Sequence, residues 1–314
     1  MVNLMTLGLP PYLFKIWEKG RGKMFGKLSY KKQEKLVIFM FLLIPLLFLT
    51  VFTFMPAISM IYYSFIEWNG YSINKTWVGF NNYIEIFKNP IYFVALKNSL
   101  YYFVGGFLQL FIAFYFAVLL NAKMKGKSLF KAILFFPYLL NGVAISLIFV
   151  FFLRPDGTLD SILNILGMGK YVQQWLGNEH IINYSLATVS VWRYVGFNFI
   201  IFLGAIQSIS GEVMEAADLD GANEWQKVKY IILPSVKKIV ELNLILAISG
   251  AISVFEIPYI MTGGANGSNT FVIQTVNTAF KFQQVGLGSA MAVIMLLIVA
   301  AVTIAEKTFF KEAD

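Results

Sequence analysis

Two ionisable residues, Arg193 and Glu256, stand inside stretches otherwise apolar enough to lie in lipid, and around them fall Asn141, Trp192, Tyr194, Asn198, Ser253 and Tyr259. A charge is costly in hydrocarbon and normally turns toward a bundle interior or a wet cavity, so both are candidates to line a solute path. The neighbouring amides, hydroxyls and aromatic rings are the few, convergent polar and flat groups that line solute sites. Each also has a plainer role: Asn and Ser bond helix to helix in membranes, and Trp and Tyr mark interfaces. Counting 1.5 Å per residue along two antiparallel spans puts Arg193 and Glu256 at depths roughly 10 Å apart, which argues against their pairing.

The residues for bond-making chemistry are missing. With no Cys and a single His, His180, the chain offers no thiolate nucleophile, no disulfide and little basis for zinc. It has no G-x4-G-K-[ST] run, so it is not expected to hydrolyse ATP, and no two acids share a span at helical spacing. Such residues pass a solute rather than transform it.

The elements that must position them follow from composition. Of 314 residues 58% are hydrophobic and 13% charged, too apolar a balance for a soluble domain of this size. Runs long enough to cross a bilayer, which takes about 20 helical residues, lie at Leu36 to Phe65, Asn98 to Leu120, Leu129 to Leu153, Asn183 to Gln207, Ile239 to Met261 and Gly286 to Glu306. An all-α, polytopic membrane protein with about six transmembrane helices is expected. Pro45, Pro56, Pro137 and Pro258 fall within these runs and should kink them, which suits a bundle with a cavity.

The basic residues report orientation. Eight Lys and Arg precede the first span, four follow the second, four the fourth and two the sixth, against six on the opposite side. The positive-inside rule puts both termini and the 208–236 loop in the cytoplasm, and leaves nucleic-acid binding without a purpose. The expected organisation is a basic cytoplasmic segment at 1–35, a transmembrane domain at 36–309 and a tail at 310–314. The first segment lacks the short apolar core and cleavage site of a removable signal peptide; Met5 to Trp17 could form an interfacial helix or remain disordered.

The stretch "EAADLDGANEWQKVKYIILP", Glu215 to Pro234, is a polar island in this setting. Ser210 can cap a helix whose first turn holds Glu212 and Glu215, where carboxylates suit the positive end of the dipole. Asp220-Gly221 reads as a turn, and Asn223 three residues before Gln226 as a capping box. Pro234 is tolerated in a first helical turn. Two short helices with a glycine elbow are expected, with Met214, Leu219, Trp225, Val228 and Ile232 as their apolar contacts.

This spacing, E-A-A-x3-G-x9-I-x-L-P, resembles the signature of permease subunits of binding-protein-dependent ABC importers at every defined position. From about Leu36 onward the chain is similar to the first permease subunit of glycerol-phosphate, lactose and maltose-type importers, through "WVGFNNYIEIF" (Trp77 to Phe87), "KSLFKAILFFPYLL" (Lys127 to Leu140), "LRPDGTLDSILNILG" (Leu153 to Gly167), "WLGN" (Trp175 to Asn178) and "TGGANGSNTFVIQTVNTAF" (Thr262 to Phe280). It departs from that pattern at Gly211, where proline is usual, and at Ala265-Asn266, where the family has Gly-Pro.

The resemblance implies a bacterial or archaeal multi-pass plasma-membrane protein that pairs with a second homologous permease, two ATPase subunits and an extracytoplasmic sugar-binding protein. ATP and Mg would be used by the ATPase, with no cofactor bound directly. The loop would dock on that ATPase through Met214, Glu215, Ala216, Ala217, Leu219, Gly221 and Trp225, with Glu215 as charged contact and Gly221 as elbow. The implied cargo is a di- or oligosaccharide; glycerol-phosphate stays open because Arg193 could meet an anion. The rival is an ion-gradient-driven secondary transporter or channel, against which stand an idle loop and the lack of matched repeats with broken helices.

Overall fold

The computed structural model describes residues 30–121 and 126–311. The possible helix at Met5 to Trp17, most of the basic segment 1–35 and the end of the 310–314 tail lie outside the described residues. The chain divides into two compact units, split between Ser59 and Met60.

The first unit is helical. Helix α1 (Tyr30–Leu49) passes through Pro45 without interruption. A π-helical turn at Thr50–Phe54 leads into α2 (Met55–Tyr63), and Met55 donates its N–H to Thr50 O, five residues back. The wide turn ends two residues before Pro56, which has no N–H to give. Pro56 is thus absorbed by a π-turn.

In the second unit a short hairpin, β1 (Ile66–Glu67) and β2 (Thr76–Trp77), pairs Ile66 with Trp77. Asn82, at the start of α3 (Asn81–Lys88), donates to Ser64 O and Ile66 O and fastens the hairpin. The main bundle is α4 (Pro90–Asn121), α5 (Lys127–Leu139), α6 (Gly142–Leu153), α8 (Ile182–Gln207), α12 (Lys237–Ile252) and α15 (Val285–Lys311). Shorter pieces connect these: α7 (Thr158–Ile165), α9 (Gly211–Leu219), α10 (Glu224–Lys227), α11 (Leu233–Ser235), α13 (Glu256–Thr262) and α14 (Phe271–Val276).

Among the described residues five helical stretches are long and apolar enough to cross a membrane, or six if α5 and α6 form one span. Two of the runs expected to be kinked are broken, each a few residues away from its proline. The run Leu129 to Leu153 is two helices bent by 97°, and the break lies at Leu140-Asn141 rather than at Pro137, which sits inside α5. The run Ile239 to Met261 breaks at Ser253, Val254 and Phe255, between α12 and α13. Pro258 falls in the first turn of α13, where its missing N–H is harmless.

Helices α4 and α8 form the spine. At one end Tyr102, Ile145, Leu186, Val189, Ile257 and Met261 make a buried cluster; at the other Leu110, Ala117, Phe199, Phe202, Ile232 and Val236 make a second. Backbones approach closely at Gly196 of α8, where an added Cβ would stand 1.9 Å from Leu134 O of α5. Between the two clusters the packing opens into a cavity.

Candidate functional site

The cavity has a volume of about 530 Å³ and is walled by α4, α5, α8 and the broken α12–α13 stretch. Small residues, Gly105, Gly106, Ala247, Gly250 and Ala251, line it without filling it, and Gly105 also lets α4 approach α8 closely, an added Cβ there standing 3.3 Å from Val191. Aromatic faces line one side: Tyr138 stacks on Phe197 with ring centroids 4.6 Å apart and lies 6.0 Å from Tyr194. Polar groups converge among them, namely Tyr102, Gln109, Ser190, Asn198, Ser253 and Glu256. The Tyr102 hydroxyl is buried without a hydrogen-bond partner, and Gln109 is almost wholly buried. Aromatic planes with a few convergent polar atoms are a lining for a hydroxyl-rich solute.

Of the eight residues singled out from sequence, Tyr194, Asn198, Ser253 and Glu256 line this cavity and the other four do not. Asn141 is the N-cap of α6; its side chain accepts from Val143 N–H at 2.8 Å. Trp192 packs edge-on against Phe149 at 5.2 Å. Tyr259 stacks on Phe255 at 4.6 Å, while Phe255 itself reaches the cavity. Arg193 is not among the lining residues; its guanidinium stands 5.1 Å from the ring of Tyr194, which is. Sequence reasoning passed over Tyr102, Gln109, Tyr138 and Phe197; an amide in a span beside Gly105-Gly106 was the available signal for Gln109.

The separation of Arg193 and Glu256 expected from helical depth is wrong. Arg193 Nη1 donates to Glu256 Oε2 at 2.5 Å. The depth count assumed one continuous helix through Glu256, whereas the three-residue break restarts the helix at Glu256 and turns its first residue toward α8. Both groups rest on Gly142, where an added Cβ would lie 2.2 Å from each. The pair joins α8 and α13 over the first residue of α6. Its sharing is unequal: the Arg193 side chain is 11% exposed and that of Glu256 42%.

The loop is built as its residues dictate. Helix α9 begins after Ser210, as expected, although the Ser210 side chain makes no capping bond. It ends in a reciprocal pair of turns: Ala222 donates to Ala217 O and Gly221 to Asp218 O, with Gly221 at φ +76°. That left-handed position favours glycine, which has no Cβ to strain there. Asn223 and Gln226 form a full capping box at the start of α10. A π-turn at Val228–Ile232 then precedes Pro234, repeating the arrangement before Pro56.

A residue that sequence reasoning passed over ties the two short helices together. Lys227 Nζ pairs with Asp218 across the elbow and donates to Glu224 Oε1 at 2.7 Å, and its side chain is 7% exposed. These bonds, first to Asp218 and then to Glu224, push the Lys227 ammonium above the ordinary lysine range. Met214 and Ala217 turn inward, Met214 onto the cluster around Phe199 and Phe202. Glu215, Ala216, Leu219 and Trp225 face outward, Leu219 at 90% and Trp225 at 73% exposure. The loop thus offers an acid between large apolar groups on a rigid, surface-borne elbow.

An apolar bundle broken around a cavity, with a rigid motif-bearing loop at one end, is the architecture of an importer permease. The chain belongs to the family of binding-protein-dependent transport system inner membrane components, which residues 109–311 match. It is 32% identical over 285 residues to the probable ABC transporter permease protein YurN of Bacillus subtilis, covering 89% of this chain and 97% of that one. It is 31% identical over 279 residues to the multiple sugar-binding transport system permease protein MsmF of Streptococcus mutans, covering 87% and 95%. The crystal structure of a bacterial ABC transporter involved in the import of the acidic polysaccharide alginate shares the fold, with TM-score 0.77 and 18% identity over 89% of this chain and 96% of that one.

Proposed function

We propose that this chain is the translocation-path subunit of an ATP-driven importer for a di- or oligosaccharide, non-catalytic itself and paired with a second permease, two ATPase subunits and an extracytoplasmic sugar-binding protein. The carrying observation is the loop: its elbow is locked by Gly221 and Lys227 while Glu215, Leu219 and Trp225 stay exposed. Exposed large apolar groups around an acid, held rigid outside the apolar bundle, suit a docking element for another protein. The excess of Lys and Arg flanking the loop and the termini supports a cytoplasmic placement, where ATP is available.

The sugar class is supported from two directions. Relatives of similar length are named as sugar-transport permeases, among them the arabinooligosaccharides transport system permease protein AraP of Bacillus subtilis, 30% identical over 73% of this chain. The cavity independently offers ring faces and neutral hydrogen-bonding groups. The alginate importer has been crystallised with its periplasmic protein carrying an alginate pentasaccharide, which supports delivery by a binding protein here.

The experiment is uptake of radiolabelled neutral oligosaccharides into proteoliposomes holding this chain with its companion permease, ATPase and binding protein. Accumulation should need ATP on the ATPase side and the binding protein on the other. Accumulation driven by a proton or sodium gradient with the ATPase omitted would establish the secondary-transporter alternative instead.

A further inference from the structure

Among the described residues the cavity lining holds one charged side chain, Glu256, and no Lys, Arg or His. Arg193, which from sequence kept an anionic cargo open, is not among the lining residues, and its side chain is 11% exposed against 42% for that of Glu256. The pair is therefore a dipole with its negative end toward the cavity and its positive end in the protein. Glu256 Oε2 is engaged by Arg193, which leaves Oε1 as the oxygen able to accept a hydroxyl. The remaining polar lining, Tyr102, Gln109, Ser190, Asn198 and Ser253, is neutral.

We infer that Glu256, held by Arg193, makes the cavity a charge filter that admits neutral polyhydroxylated solutes and disfavours phosphorylated or carboxylated sugars. The outward carboxylate end of the pair repels an anion that enters the cavity, while a sugar hydroxyl gains a charge-assisted bond. This inference rests on the importer reading and narrows its cargo. It sets the chain apart from the structurally similar alginate importer, whose substrate is acidic.

The absence of cysteine allows a direct test. A thiol is introduced in the cavity by Ser253→Cys, or by Gly250→Cys, where a Cβ meets nothing within 4 Å. Its reaction rates with cationic and anionic methanethiosulfonates are measured in the assembled importer and normalised to a small free thiol. The cationic reagent should react roughly threefold or more faster, an advantage that fades at high salt. Glu256→Gln should reverse the preference by leaving Arg193 unopposed, and Arg193→Gln should enlarge it. Opposite shifts from the two variants are not produced by a loss of packing.

Equal rates for both reagents, shifts of the same sign in both variants, or no reaction at either position would overturn the filter. If the assembled importer accumulates no neutral oligosaccharide while the thiol pattern holds, the importer reading fails and the charge filter stands. If uptake proceeds and the thiol preference is missing, the filter alone fails.

Discussion

Arg193 of α8 and Glu256 of α13 meet at 2.5 Å over Gly142, so that three helices, two of them beginning at breaks, converge on a single ion pair. Neither break alone would be stable in an apolar setting without something to hold the loose ends. The Arg193 Nε, buried and unpartnered, shows that the guanidinium is placed for the carboxylate rather than for full satisfaction of its own donors. Gly142→Ala should therefore be severe, because the new Cβ would occupy the space of both charged groups. Separating a buried pair costs about 3–5 kcal/mol, reduced here to roughly 1–3 by the exposure of Glu256. The expected outcome is a fall of several degrees in the melting temperature of the purified complex, together with loss of uptake.

The pair also predicts a pattern of coupling. Glu256→Gln leaves a buried guanidinium unopposed and Arg193→Gln leaves a carboxylate unopposed, whereas the double variant removes both charges. A double-mutant cycle on thermal stability should show the double variant less destabilised than the sum of the singles by about 1 kcal/mol or more. Additive losses would mean that the two side chains merely touch.

Lys227 is the comparable clamp in the loop, and its charge gives a pH signature. Its ammonium is raised by Asp218 and Glu224, so its contribution is fully present below the ordinary lysine range and is lost as pH rises through the raised value. ATP-driven uptake should thus show no dependence on this clamp from neutral to mildly alkaline pH. Lys227→Met should mimic the deprotonated state at neutral pH: the ATPase continues to turn over while uptake per ATP falls severalfold. Lys227→Arg, which keeps a cation in reach of both acids, should restore most of the ratio.

Much of the scaffold was legible because its signals are local. Apolar runs set the spans, Gly221 announced a left-handed turn, and Asn223 with Gln226 announced a helix start; each depends on a few adjacent residues. That two runs would be interrupted was legible from Pro137 and Pro258, but the positions of the breaks, at Leu140-Asn141 and at Ser253 to Phe255, were not. Ser253-Val254-Phe255 itself contains no Gly, Pro or Asn, and Pro258, the nearest signal, sits beyond the break in the first turn of the next helix. Once the break was missed, the depth of Glu256 was miscounted and its partner with it. The Lys227–Asp218 pair was hidden similarly, because it bridges nine residues across the elbow and appears only when the turn is folded. The cavity shared this fate: Asn141 carried the right chemistry but is used as a cap, while Tyr102 and Tyr138 read as ordinary aromatic residues in a span.

Gly221 and Glu215 test the loop as a docking element from two sides. Gly221 holds φ +76°, so Gly221→Val forces a β-branched residue into the left-handed region at about 1–2 kcal/mol and misaligns α9 with α10. Glu215 is exposed and makes no bond within the chain's described residues, so Glu215→Lys should leave the fold and melting temperature unchanged. Both variants should nevertheless lose the ATPase on co-purification or separate its turnover from uptake. If Glu215→Lys transported normally, the outward acid would have no partner, and docking would have to rest on Leu219 and Trp225 alone.

Gly196 supplies the sharpest steric prediction because the obstacle is backbone. A Cβ there would stand 1.9 Å from Leu134 O and 2.8 Å from Phe135 Cα, so α5 must move away from α8 to admit even alanine. That movement would open the cluster around Phe199 and Phe202 and displace Tyr138, which stacks on Phe197 one residue beyond the glycine. Overpacking of this kind costs about 1–3 kcal/mol, with the higher part of that range expected where no side chain can yield. Gly196→Ala should thus lower both the yield and the melting temperature of the complex. Gly204→Ala, on the same helix but with nothing within 4 Å of the new Cβ, should be neutral. Equal behaviour of the two variants would show that α5 and α8 are not packed this closely in the membrane.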